Sequence, residues 1–121
     1  MQYLVIVLNK SEILDEVLET FLELGISGAT VLDSTGMGHI ISRDIPIFAG
    51  FKNVFSVAQP NNKTIFTLVP DDKVSFILDA IEQVTGSFEK QGVGIAFSLP
   101  VTTVRGLPQP GDKTQNEKGS I

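Results

Sequence analysis

The 121 residues of this chain are 42 % hydrophobic, carry a formal net charge of -5 and include no cysteine. A chain of this length buries roughly 65 % of its unfolded surface, enough for one core without a staple, and the missing thiols exclude cysteine nucleophiles, thiolate zinc sites and disulfides. The acidic balance, spread without long single-sign runs, argues against a nucleic-acid backbone binder, which needs a basic patch to release counterions.

Gln2 to Leu8 opens the chain on a strand-like run with no basic leader. No apolar span of roughly 18 residues follows anywhere, so a cytoplasmic protein without membrane insertion is expected. Within that run, Tyr3 to Leu8 is continuously apolar and β-branched, as in a strand at the centre of a sheet. Ser11 is placed to cap a helix whose first turn carries Glu12, Asp15 and Glu16, favourable to its dipole. Ile13, Val17, Phe21 and Leu24 then recur at helical spacing, Leu14, Leu18 and Leu22 widen the stripe, and Gly25 ends it.

Ile26 to Thr35 reads as a second strand, with Gly28 marking a close backbone approach or a bulge at its start. The segment from Gly36 to Asn62 is too long for a hairpin turn, and its Ile40, Ile41, Ile45, Ile47, Phe48, Phe51, Val54 and Phe55 are too oily for a linker. Phe48, Phe51 and Phe55 fit one face of a short helix after Pro46. Thr64 to Val69 is a third strand. Pro70-Asp71-Asp72 opens a second helix with Val74, Ile77, Leu78, Ile81 and Val84 on one face, and Gly86 ends it. Gly94 to Leu99 is a fourth strand, and residues 107–121 form a polar, glycine- and proline-rich tail expected to be disordered.

This order gives an α+β domain over residues 1–106. Because crossovers are right-handed, two strand-helix-strand halves fold most simply as a ferredoxin-like β-α-β-β-α-β sandwich, an antiparallel sheet with both helices on one face. The third strand is apolar on both faces, Ile65, Thr67 and Val69 against Phe66 and Leu68, which predicts burial of the uncovered face by another subunit.

With these elements placed, the chain resembles the PII signal-transduction superfamily, trimeric ferredoxin-like sensors whose long loop between the second and third strands, the T-loop, reports bound nucleotide. The residues that carry the likeness are Leu14-Asp15-Glu16-Val17, Leu24 to Val31, Gly36-Met37-Gly38, Val69-Pro70-Asp71-Asp72, Thr85-Gly86 and Gly94-Ile95-Ala96-Phe97. The resemblance implies a homotrimer with an adenine nucleotide, ADP or ATP, between neighbouring subunits. It also implies regulation of a protein partner, such as a membrane transporter, through residues 37–61, without catalysis. By the same likeness Thr30 meets the adenine amino group and the backbone of Leu68 reads the base edge. Gly36, Met37, Gly38 and His39 would stand beside the phosphates. The loop after the second helix, with Gly86, Lys90 and Gly92, and the distal Arg105 would supply the remaining phosphate contacts.

The departures are informative. Where the nitrogen regulators carry arginine and then a glutamine that holds magnesium and 2-oxoglutarate, this chain has His39 and Ile40. An isoleucine neither coordinates a metal nor accepts a hydrogen bond, which argues against 2-oxoglutarate sensing and leaves the need for magnesium open. The only tyrosine, Tyr3, lies in the first strand, so uridylylation on the loop is excluded. A single lysine beside Glu89 in the loop after the second helix favours ADP, AMP or another small adenine nucleotide over a triphosphate.

Each of these residues also has a plainer reading. Gly36 and Gly38 can be turn glycines that need a positive φ, and His39 can decorate a loop root. Lys90 and Arg105 can be solvated surface charges, although their positions after the second helix and after the fourth strand are expected to bring both toward the sheet end that holds Gly36. The stripe of Phe48, Phe51 and Phe55 can pack within the trimer or anchor a partner. An amino-acid-binding module of the ACT type shares the element order, but its connection between the second and third strands is short. A nucleotide hydrolase would need a general base, for which only Asp33 or Glu89 stands out.

Overall fold

A computed structural model describes residues 1–44 and 61–107, with residues 42–44 described by backbone alone. Phe48, Phe51 and Phe55, and all of the tail beyond Leu107, lie outside the described residues.

Strand β1 (Gln2–Leu8) leads through a 3-10 turn (Ser11–Ile13) into helix α1 (Leu14–Glu23), and β2 (Thr30–Ser34) follows. Helix α2 (Met37–Asp44) comes next, then β3 (Asn62–Val69), a 3-10 turn (Asp71–Lys73), α3 (Val74–Thr85) and β4 (Gly94–Pro100). The four strands form one sheet in the order β2-β3-β1-β4, and every neighbouring pair is antiparallel. That order is the ferredoxin-like one, and β1, the most continuously apolar strand, is indeed interior.

Alternation along the strands decides which residues form the core. Leu4, Ile6 and Leu8 of β1 and Ile65 and Val69 of β3 face Val17 and Phe21 of α1 and Ile77 and Ile81 of α3, all buried. Each fully buried aliphatic or aromatic side chain of this kind contributes about 1.5–3 kcal/mol. The same period of two sends Tyr3, Val5, Val7, Phe66 and Leu68 to the other face, with Ile95, Phe97 and Leu99 beside them at 57 %, 43 % and 51 % exposed. The Tyr3 and Phe66 rings meet there at 5.5 Å between centroids. No described helix covers this apolar face.

Four local expectations are corrected. Ser11 makes no capping hydrogen bond, because the chain enters α1 through the 3-10 turn that Ser11 itself begins. The second strand starts at Thr30 rather than Ile26, since the cap of α1 takes Gly25 and Ile26 and residues 27–29 make no ladder with β3. Gly25 takes φ +83, its N–H bonds to Leu22 O at 3.1 Å and the Ile26 N–H reaches back to Phe21 O at 2.8 Å, the paired bonds of a Schellman cap. Gly28 then has nothing within 4 Å of where a Cβ would stand, so neither a close approach nor a bulge explains it. Its carbonyl accepts the Thr67 hydroxyl instead.

The fourth correction is α2. Gly36-Met37-Gly38 is not an irregular loop root: Gly38 lies inside a helix, Gly36 has no positive φ, and the Ile40 N–H bonds to Gly36 O at 3.2 Å. The apolar Met37, Ile40 and Ile41 stand at the i, i+3, i+4 spacing of a helix, and Pro46 disfavours its continuation. Gly36 just before the helix and Gly38 in its first turn concealed that signal.

Candidate functional site

The sheet register gives each implicated residue a level. Across the sheet, Gly94, Leu8, Lys63 and Asp33 lie on one row, and Pro100, Gln2 and Val69 lie on another at the opposite end. Gly36, Met37, Gly38 and His39 follow directly on Ser34, so they belong to the Leu8 end. Gly86 caps α3 at that same end, because α3 runs antiparallel to β3, and Lys90 and Gly92 lead from it into Gly94. The two groups leave from opposite edges of the sheet, three strand spacings or roughly 14 Å apart.

Arg105 does not join them. A strand carries its two flanks to opposite ends, so Lys90 before β4 and Arg105 after it are separated by the length of the strand, and the expectation that both approach Gly36 is wrong. The Val101 N–H donates to Met1 O at 3.0 Å, which holds this segment at the Gln2 end, and Val104 and Leu107 line the same groove as Met1, Val69 and Pro70.

Leu68 lies toward the Gln2 end as well, and Thr30 sits mid-sheet opposite Phe66. Together with Tyr3 and Phe66 they line one wide groove of about 1550 Å³. Its origin is the late start of β2: pairing with β3 begins at Thr30 and Phe66, so Thr67, Leu68 and Val69 have no β2 partner and leave a stretch of β3 edge open. An open strand edge beside a hydroxyl and two aromatic rings suits a flat, polar-edged ring such as a nucleobase. Gly36, Met37, Gly38, His39, Lys90, Gly92 and Arg105 do not line this groove. Sequence reasoning missed Tyr3 and Phe66 as members of it, because their spacing alone assigned them only to a face.

The Lys90 loop is built rather than loose. Gly86 takes φ +85 and the Glu82 carboxylate accepts the Phe88 N–H at 2.9 Å, while the Ser87 hydroxyl accepts the Glu89 N–H at 3.1 Å. The Lys90 N–H bonds to Ser87 O at 3.0 Å, and Phe88 packs against the core. Gly92 at φ +90 then turns the chain into β4. The backbone that presents Lys90 is thus anchored on both sides of the turn.

At the other end Asp71 accepts from the terminal amine of Met1 at 2.8 Å and from the Gln2 amide at 3.3 Å. The amine above all, and Gln2 after it, hold this carboxyl below its ordinary range. Beside the loop root, Lys63 pairs with Asp33 across β2 and β3, so this cation is already engaged.

The family model described as Nitrogen regulatory protein P-II matches residues 1–108. No curated protein matches the chain.

Proposed function

The chain belongs to the P-II nitrogen regulatory protein family, and on that premise we propose that it is a homotrimeric sensor binding an adenine nucleotide in clefts between subunits. One subunit supplies Gly36, Met37, Gly38, His39, Gly86, Lys90 and Gly92 toward the phosphates. Its neighbour supplies Thr30 and Leu68 toward the base and Arg105 toward the phosphates. The single observation that supports this reading is the separation of the implicated residues between the Leu8 end of one sheet and levels from mid-sheet to its Gln2 end, beside an apolar face left bare by its own helices. Neither half suffices alone, and a second copy brings the missing half while burying Phe97 and its neighbours.

Signalling follows from differential affinity: a nucleotide that binds one arrangement of residues 37–61 better than another shifts the population toward it, and the partner reads that arrangement. The partner is a protein, such as a membrane transporter, and Phe48, Phe51 and Phe55 are the aromatic anchors available to meet it. ADP is the favoured ligand because Lys90 stands alone in its loop, with Glu89 adjacent. Ile40 offers no ligand to magnesium, so the proposal extends neither to a metal nor to 2-oxoglutarate. The long connection from Thr35 to Asn61 favours this reading over an ACT-type amino-acid module. No catalytic step is part of it.

The test is calorimetric titration with ATP, ADP, AMP, cyclic AMP and cyclic di-AMP, with and without magnesium, alongside sedimentation to determine the mass. Binding of at least one nucleotide by a trimer is the expected outcome. A trimer that binds none of them, or a monomer, would sink the proposal.

A further inference from the structure

Where β2 and β3 part, their last paired residues are Ser34 and Asn62. The Ser34 hydroxyl donates to the side-chain carbonyl of Asn62, and Thr64 Oγ1 stands 2.8 Å from Ser34 Oγ, which can accept its proton. One hydroxyl therefore links two side chains of β3 to the end of β2. Asn62 is only 8 % exposed although every β2 residue from Thr30 to Asp33 is exposed. Burying an amide is costly unless it is bonded, so a buried asparagine here is held by the bonds it makes.

The Asn62 amide nitrogen also lies 3.7 Å from the place a Cβ would take on Gly36, and the Gly36 carbonyl accepts the Ile40 N–H in the first turn of α2. Hydrogen bonds thus run from Thr64 through Ser34 to Asn62, whose amide faces the open side of the Gly36 Cα, two residues after Ser34 in the chain. An apolar pair at this position would keep the strands together equally well, but it would not orient the chain as it leaves the sheet.

We propose that Ser34, Asn62 and Thr64 are positioning residues that hold Gly36, Met37, Gly38 and His39 in the geometry that receives the ligand's phosphate. The clasp therefore sets the preference of the site for a nucleoside phosphate over the bare nucleoside. This inference rests on the nucleotide-sensor reading above and adds to it a discrimination that no residue in contact with the ligand supplies alone. In that reading the base of each site is met by Thr30 and Leu68 of the neighbouring subunit, while Ser34 leads within two residues into Gly36 of its own chain, so the clasp acts on the phosphate and not on the base.

The experiment titrates the full chain and the variants Ser34→Ala, Thr64→Val and Ser34→Thr with ADP and with adenosine, and records thermal melting for each. Ser34→Ala and Thr64→Val should weaken ADP binding about fivefold to tenfold and adenosine binding less than about twofold. Ser34→Thr keeps the hydroxyl and should restore the preference. A purely structural contribution would lower the melting temperature or weaken both ligands alike without moving the ADP-to-adenosine ratio. An unchanged ratio in both Ser34→Ala and Thr64→Val, with ADP still bound by the parent chain, overturns the clasp proposal alone. Failure of the parent chain to bind ADP overturns it together with the sensor reading.

Discussion

Replacing Lys90 by alanine in one preparation and Arg105 by alanine in another turns the two ends of the sheet into a test of where the site lies. β4 runs from Gly94 to Pro100 over 7 residues, which is six steps of about 3.3 Å, or roughly 20 Å. Lys90 lies before this span and Arg105 beyond it. A charge-assisted bond to a phosphate oxygen spans only about 2.7–2.9 Å. The two cations of one chain therefore start from opposite ends of this strand, whereas cations from two adjoining chains can meet at one phosphate. Each substitution removes one charge-assisted bond worth about 1.5 kcal/mol at an exposed position, so either variant should bind ADP about tenfold more weakly. When the two variants are unfolded together in equal amounts and refolded, their subunits assort at random. An interface that takes Lys90 from one chain and Arg105 from the next keeps both with a chance of one half times one half, so about one quarter of the sites recover the parental affinity. Titration of the mixed preparation should resolve that tight class. Its absence from a mixture that refolds to trimers would refute the intersubunit site, and so would parental affinity in either variant alone.

Two further expectations concern the scaffold. Gly94 takes φ +142, and a Cβ there would fall 2.0 Å from the carbonyl oxygen of Val7, so Gly94→Ala should destabilise the fold by about 3 kcal/mol or more, measured by chemical denaturation. A loss below about 1 kcal/mol would show that β4 does not pair with β1 at this point. Asp71 has a folded-state pKa below its unfolded one, so its stabilisation is fully present above the ordinary carboxylate range and is lost as pH falls through the lowered value. Denaturation curves should therefore weaken on acidification below about pH 4. Asp71→Asn should remove part of that dependence, and an unchanged pH profile in the variant would mean that the pairing with the terminal amine does not form in solution.

Local chemistry made most of the elements legible in the sequence. The continuous apolar run of Tyr3 to Leu8 implied an interior strand, the spacing of Val17 and Phe21 gave the buried stripe of α1, and Gly25 and Gly86 ended helices as expected, each at a positive φ. These features depend on neighbours a few residues apart, which the sequence displays directly. The element order and the right-handed crossover rule were enough to give the antiparallel α+β sandwich.

What only the tertiary structure decided was level and pairing. That β2 begins opposite Phe66, leaving the β3 edge open at Leu68, depends on where pairing with β3 starts after the cap of α1. The contact of Ser34 with Asn62 and Thr64 depends on a register set across a connection of residues 35–61. Helix α2 was obscured because glycine in a first turn resembles glycine in a loop, and only the Ile40 to Gly36 bond distinguishes them. Arg105 was misplaced for a plainer reason: its distance from Lys90 is the length of the strand between them, and side-chain chemistry carries no trace of it. The sequence by itself determined which residue types and which local elements are available to the proposed site. The three-dimensional register decided which of them share an end of the sheet, because hydrogen-bonded pairing between distant segments, and not composition, sets the level of each residue.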